Sequence, residues 1–334
     1  MTYVQPWQAH PMKRLTRDNF VEESAHWRKP WHEGFYAMYA SPWEAITTEP
    51  VLMAVPVDDH LVHRGDGVFE ALKCVAGHLY NWEAHLHRLL ESAASIHLRL
   101  PMSPEQITRL VLETVRAGGH PDCMVRVFLS RGPGGFSVRP SECPTPCLYI
   151  LASRLGVPFM LLHPDGARVR SSTIPLKPPF FARIKSCNYM PNVLMAWEAE
   201  QWGVDFTVSF DERDCLGEGA TESAGLVMPD GRLLFPSLHR VLPGTTMLRL
   251  VELVRQNPSQ AGLTDAVFED LPRHRIGQAS EFILVGTTIN VASVVEFDGQ
   301  PIGNGRPGPV AARLNALLEE DILHNRALHT PVGF

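Results

Sequence analysis

Lys185 stands in the segment FARIKSCNYMPNVLMAWEAE, flanked by Phe180, Phe181, Ala182 and Ile184. An ammonium in apolar surroundings loses hydration, its pKa falls, and the free amine can attack a carbonyl. Taken alone, such a lysine is more often a surface residue whose stem covers apolar atoms. Tyr189, four residues on, can reach the same place. Glu218 sits between Gly217 and Gly219 in CLGEGATES. Small flanks let a carboxylate approach a ligand closely, though an exposed turn glutamate reads the same way. Two further blocks share one design. Pro243-Gly244-Thr245-Thr246 directly precedes an apolar-periodic helix, and Gly286-Thr287-Thr288 follows a buried strand. Glycine allows close backbone approach, threonine adds hydroxyl donors, and a helix N-terminus carries partial positive charge. Together they suit a phosphate, whereas either block alone is more often a capped turn. Neither is a Walker A loop. Arg88, on an expected helix, is by the same logic a surface cation or an anion ligand.

These residues need elements to hold them. Strands are expected at 51–58, at Val68–Val75, His78–Tyr80, Met124–Ser130 and Cys147–Ala152, by their β-rich composition and flanking turns. Helices follow Asn81 and Ser103, with Leu86, Leu89, Leu90, Ala93 and Ile96 on one face of the first and Ile107, Leu110, Val111 and Val115 on one face of the second. The loop RGPGGFSVRPSECPTP is long enough to form a site. After a boundary near residue 155 come strands at Ala167–Thr173, Phe206–Phe210, Ser223–Met228, Leu233–Phe235 and Glu281–Val285. Helices are expected at Pro191–Trp202 and Thr246–Gln256. Strands and helices mix without steady alternation, which predicts an α+β fold. Residues 1–50 read as an irregular arm carrying Trp7, Trp27, Trp31 and Trp43, either packed on its own body or serving an interface. The expected division is an arm at 1–50, a smaller domain at 51–155 and a larger one at 156–334.

Composition removes several function classes. The 334 residues are 45% hydrophobic and 20% charged, with 30 Lys+Arg against 36 Asp+Glu and a net charge of −6. A mildly acidic chain with no basic block argues against nucleic acid as main partner. No apolar run reaches the ~18–20 residues of a membrane span. The opening MTYVQPWQAHPMKRL lacks an apolar signal core, so a cytoplasmic location is expected. Six scattered cysteines are no disulfide framework, and Cys143 and Cys147 in CPTPC read as reduced loop thiols rather than a zinc site. His85 and His87 would point about 200° apart on a helix and read as surface or supporting groups.

In order along the chain, HRGDGVFEAL, HLHRLLES, IKSCNYMPNVLMAWEAE, LGEGATES, LPGTTM and VGTTINVASVVEFDGQPIGNGRPGP resemble the class IV aminotransferases, the pyridoxal 5'-phosphate (PLP) enzymes of fold type IV. The resemblance spans about residues 51–315 and is greatest to the group of plant-type D-amino-acid transaminases, branched-chain aminotransferases and aminodeoxychorismate lyases. It implies a smaller N-terminal α/β domain, a larger C-terminal pseudo-barrel, PLP at their junction and a homodimer. Lys185 matches the catalytic lysine that bonds the cofactor and carries a proton. Glu218 matches the partner of the pyridine nitrogen, Tyr189 the tyrosine near the phenolic oxygen, and Arg88 a phosphate ligand. Thr245, Thr246 and Thr287 match the phosphate cup, and Thr288 a position facing the substrate carboxylate. The implied reaction is transamination between an α-amino acid, of the D or the branched-chain type, and a 2-oxo acid. The alternatives are p-aminobenzoate formation by a lyase of the same fold, or a non-catalytic PLP- or phosphate-binding protein. Ala71 stands where those lyases often carry a catalytic threonine, and Phe136 and Val138 stand where the D-alanine enzymes of bacilli place Arg-x-His. With that trap missing, Arg64 and Arg131 are the candidate carboxylate ligands. Pairing of Arg64 with Asp58, Asp59 or Asp66 is the competing structural role.

Overall fold

The computed structural model describes residues 12–334, so Trp7 lies outside the described residues. Two sheets organise the chain. The first takes β1 (Phe35–Ala40), β2 (Ala45–Thr47), β3 (Gly67–Val75), β4 (His78–Tyr80), β5 (Cys123–Ser130) and β6 (Cys147–Arg154). They lie in the order β4-β3-β5-β6-β1-β2, and every pairing is antiparallel. One face of β3 carries Val68, Leu72 and Cys74 into a core with Leu86 and Leu89 of the helix Trp82–Ser95 and Ile107 and Val111 of the helix Pro104–Gly118. The second of these helices starts on a reciprocal cap, with Ser103 and Gln106 each bonding the other's backbone N–H.

The second sheet takes β7 (Ala167–Ser171), β8 (Phe206–Phe210), β9 (Leu216–Gly219), β10 (Ser223–Val227), β11 (Arg232–Pro236), β12 (Asp265–Glu269), β13 (Glu281–Gly286), β14 (Asn290–Phe297) and β15 (Gln300–Pro301). Strands β10, β13, β14, β7, β8 and β9 are successive neighbours. One pair, Ser223 with Glu218, joins β9 back to β10 and closes a six-stranded barrel. Small and branched residues such as Ala167, Val169, Val208, Leu226, Leu284 and Val294 share one core. The helices Thr245–Gln256 and Pro309–His324 pack through Leu250, Val254, Leu314 and Leu318 on a second core with Leu233, Ile283 and Val291. The last strand, β16 (His329–Pro331), returns to the first sheet and pairs with β4.

Three expectations fail near the N-terminus. The stretch 51–58 forms no strand. Pro50–Leu52 makes a 3₁₀ turn, and Pro56 lacks the N–H a ladder needs. Residues 35–47 are not irregular, because the continuous apolar run FYAMYA forms an interior strand between β6 and β2. Trp27, Trp31 and Trp43 are exposed and do not fasten the arm to its own body.

Candidate active site

Where the first sheet meets the barrel, a cavity of about 370 Å³ opens, and most of the residues singled out in the sequence line it. Lys185 is brought there by its backbone. Its carbonyl accepts the Phe69 N–H at 2.9 Å, the Cys187 N–H bonds the Gly67 carbonyl, and Ser186 bridges Val68. The segment thus lies along the start of β3 like a short added strand. Lys185 Nζ sits 3.2 Å from the Tyr189 hydroxyl and 4.6 Å above the Phe69 ring. Burial, helped by the nearby charge of Arg88, brings its pKa down to about 8. Burial likewise pushes the Tyr189 phenol above its ordinary range.

Glu218 lies on β9 rather than on a turn, at the pair that closes the barrel. Its Oε2 accepts the Leu242 N–H at 3.0 Å, and no cation lies within 4 Å of it among the described residues. Burial raises its pKa, against the opposing effect of Lys177 and the Leu242 N–H. A buried carboxylate with one donor has unused acceptor capacity and favours a partner that brings a proton or a positive charge.

At the other end are Arg88, the N-terminal residues Thr245 and Thr246 of their helix, and the turn Thr287-Thr288 between β13 and β14. Arg88 donates Nε–H and one Nη2–H to Glu70, both at 2.7 Å, and one Nη1–H to the Pro243 carbonyl at 2.9 Å. A guanidinium has five N–H groups, so two remain for an anion. Hydroxyls, a helix N-terminus and a fixed arginine converge on one spot, as a phosphate requires.

The structure gives Arg64 and Arg131 other partners. Arg64 is exposed and donates to the carbonyls of His63 and Phe136, so it neither lines the cavity nor pairs with an aspartate. Arg131 is held side-on by Asp66, with further bonds to the Ile96 and His97 carbonyls. It shapes the loop instead of facing the cavity. A further arginine does line the cavity: Arg126 on β5, directly opposite Ala71 on β3, with Phe128 opposite Phe69. Its one hydrogen bond is to Ser153 Oγ at 2.9 Å, and it has no acidic partner among the described residues. The sequence did carry a signal for it, since an arginine interrupts the apolar strand CMVRVFLS at an alternate position. Of the two roles open to His85, the structure gives it the supporting one: it is buried and bonded to Glu70 and Thr245, not a surface group.

A nucleophilic lysine and the buried carboxylate of Glu218 facing an anion cradle, between an antiparallel sheet and a closed barrel, are the arrangement of a fold type IV enzyme. The comparisons with known proteins say the same more narrowly. The family described as amino-transferase class IV matches residues 67–297, and the chain belongs to it. It is an aminotransferase of a family that works with PLP. The chain is 38% identical over 289 residues to the chloroplastic D-amino-acid transaminase of Arabidopsis thaliana, covering 86% of this chain and 77% of the relative. It is 29% identical to a putative branched-chain-amino-acid aminotransferase of Methanocaldococcus jannaschii, covering 78% and 88%. The branched-chain amino acid aminotransferase of Thermobaculum terrenum, solved in its PLP form, shares the fold at a TM-score of 0.77, with 20% identity over 90% of this chain and 100% of that one.

Proposed function

We propose that this cavity binds PLP and transfers the amino group of a D-amino acid to a 2-oxo acid. The observation that carries the reading is that Lys185, Tyr189, Glu218, Arg88 and the three threonines share one cavity, each with capacity left for a ligand. Arg88, Thr245, Thr246 and Thr287 would hold the phosphate, Glu218 the pyridine nitrogen, and Tyr189 the phenolic oxygen. When bound, PLP supplies an electron-withdrawing ring conjugated to the reacting nitrogen. Glu218 keeps that ring's nitrogen protonated from a site too buried for water to replace it. Lys185 Nζ is the nucleophile and, once released, the base that carries the proton of the amino acid's Cα. Arg126 takes a carboxylate of the substrate in place of Arg64 and Arg131, and Thr288 lies at the rim. The D-amino-acid assignment is supported by the likeness to the plant D-amino-acid transaminase. A branched-chain donor is the second reading, favoured by the aromatic wall of Phe69 and Phe128. Ala71 faces the cavity with no hydroxyl, which weighs against a lyase.

The wider assembly belongs to the same proposal. Met190, Val193, Leu194 and Trp197 form an exposed stripe at helical spacing, and Phe180 and Phe181 are exposed as well. Such a face suits a second copy of the chain, giving a homodimer. The six cysteines are unpaired and five are buried, a pattern at home in a reducing compartment such as the cytoplasm. No described helix is long and apolar enough to cross a membrane. The boundary near residue 155 is retained, with residues 35–47 and β16 joined to the smaller domain. Borohydride reduction of the holoprotein should fix the cofactor on Lys185 by peptide mass. A panel of D- and branched-chain L-amino acids should shift its absorption band with the D-series alone. Failure of Lys185 labelling would end the assignment, and a response to the L-series alone would transfer it to the second reading.

A further inference from the structure

Behind the threonines, Arg88 and Thr245 are tied to two buried side chains, Glu70 and His85, that the proposed reaction does not use. Glu70, on the helix-facing side of β3, is fully buried, and His85 and Arg88 nearly so. Besides gripping Arg88, Glu70 Oε2 lies 2.6 Å from His85 Nδ1, and His85 Nε2 lies 3.2 Å from Thr245 Oγ1. One carboxylate of the first sheet therefore fixes an arginine and, through an imidazole, a hydroxyl on the barrel half.

The hydrogen positions follow from the chemistry. Burial alone would raise the Glu70 carboxyl, but the charge and hydrogen bonds of Arg88, with those of His85, hold it at about 2. An ionised carboxylate only accepts, so His85 Nδ1 carries a hydrogen. Neutral His85 then has a bare Nε2, which accepts the Thr245 O–H. That bond turns the hydroxyl hydrogen away from any anion. A proton on Nε2 reverses the bond: Nε2–H donates to Thr245 Oγ1, and the hydroxyl hydrogen is free to point at a phosphate oxygen.

We propose that Glu70, His85 and Thr245 form a proton-linked latch, in which capture of a phosphate dianion draws one solvent proton onto His85 Nε2 and turns the Thr245 O–H toward the anion. The latch rests on the reading of this end of the cavity as a phosphate site. In the free protein, burial keeps His85 below its ordinary pKa despite Glu70. The groups facing it are Glu70 from β3, Arg88 from its own helix, Lys185 from its loop and Thr245 from the following half. Lys73, Tyr80 and Asn290 line a small adjoining cavity with it. Arg88 and Lys185 disfavour a further positive charge there, and a dianion at their side cancels that effect.

Calorimetry with inorganic phosphate at pH 8, in two buffers of different ionisation enthalpy, reads the proton directly. Per phosphate bound, the wild type should take up about one proton more than the His85→Gln protein. What uptake remains in His85→Gln is that of Lys185, whose pKa of about 8 leaves it partly free at this pH. Imidazole ¹⁵N spectra of the wild type, which need no variant, should show His85 passing from a bare Nε2 to a doubly protonated ring on adding phosphate. Binding without uptake in the wild type, equal uptake in His85→Gln, or an unchanged His85 spectrum overturns the latch alone. Failure of both phosphate and PLP to bind overturns the site reading and the latch with it.

Discussion

Lys185 holds its proton weakly because its Nζ is buried away from water and within reach of the Arg88 charge. With a pKa near 8, the amine is mostly charged below that pH and mostly free above it. Covalent capture of PLP by the free enzyme should therefore fall about tenfold for each pH unit below 8 and level off above it, read by stopped-flow absorbance. A profile flat down to pH 6 would show that the lysine is not the titrating group. Arg126 makes the second prediction at this scale. Without an acidic partner, it is a desolvated cation whose pKa burial lowers, and a bound carboxylate relieves that cost. Arg126→Leu should raise the KM for the amino donor, at about 2–4 kcal/mol in kcat/KM, with PLP binding unchanged. A lower Tm with unaltered KM would mean that the arginine only supports Ser153.

At the scale of elements, β3 does most of the positioning. Its alternation sends Phe69 and Ala71 into the cavity and Glu70 the other way, so one strand serves both the substrate wall and the phosphate end. Its first residue admits no side chain. A Cβ on Gly67 would lie 2.7 Å from the Leu129 carbonyl oxygen and 2.8 Å from Leu61. Gly67→Ala should therefore push β3 from β5 and loosen the Lys185 segment bonded to the Gly67 carbonyl. The expected cost is about 1–3 kcal/mol in thermal unfolding, with weaker PLP retention. An unchanged Tm would show that the backbone yields without cost. Much of this scale was legible. Helices with clean apolar stripes and strands bounded by turns stood where their periodicity put them, and the Gly-Thr blocks and Lys185 announced themselves by residue type. What escaped depended on distant partners. His85 looks like any surface histidine until β3 sets a carboxylate against it. Arg126 is one charge in an apolar run until the barrel closes over it. Phe35–Ala40 needs two neighbouring strands from elsewhere in the chain to be a strand at all. Arg64 and Arg131 misled because sequence nearness to a motif fixes neither which way a side chain leaves its turn nor which partner it finds.

At the scale of the whole molecule, the helix Met190–Trp202 begins just beyond Tyr189, so whatever covers its outer stripe also steadies the site. Trp197→Glu places a charge on that apolar face. With the proposed homodimer formed through this face, light scattering should show a dimeric wild type and a monomeric variant that retains PLP less firmly. A dimeric Trp197→Glu protein would move the interface elsewhere.

The return of β16 to β4 has a consequence for how the protein is made. During synthesis the outer edge of β4 emerges bare, and it stays so until β16, about 250 residues further on, has been added. An open edge recruits other strands. The nascent chain is therefore most adhesive in mid-synthesis and becomes safe only once β16 has been made. A translational stall within the barrel would leave a sticky fragment where a completed chain would have sealed itself.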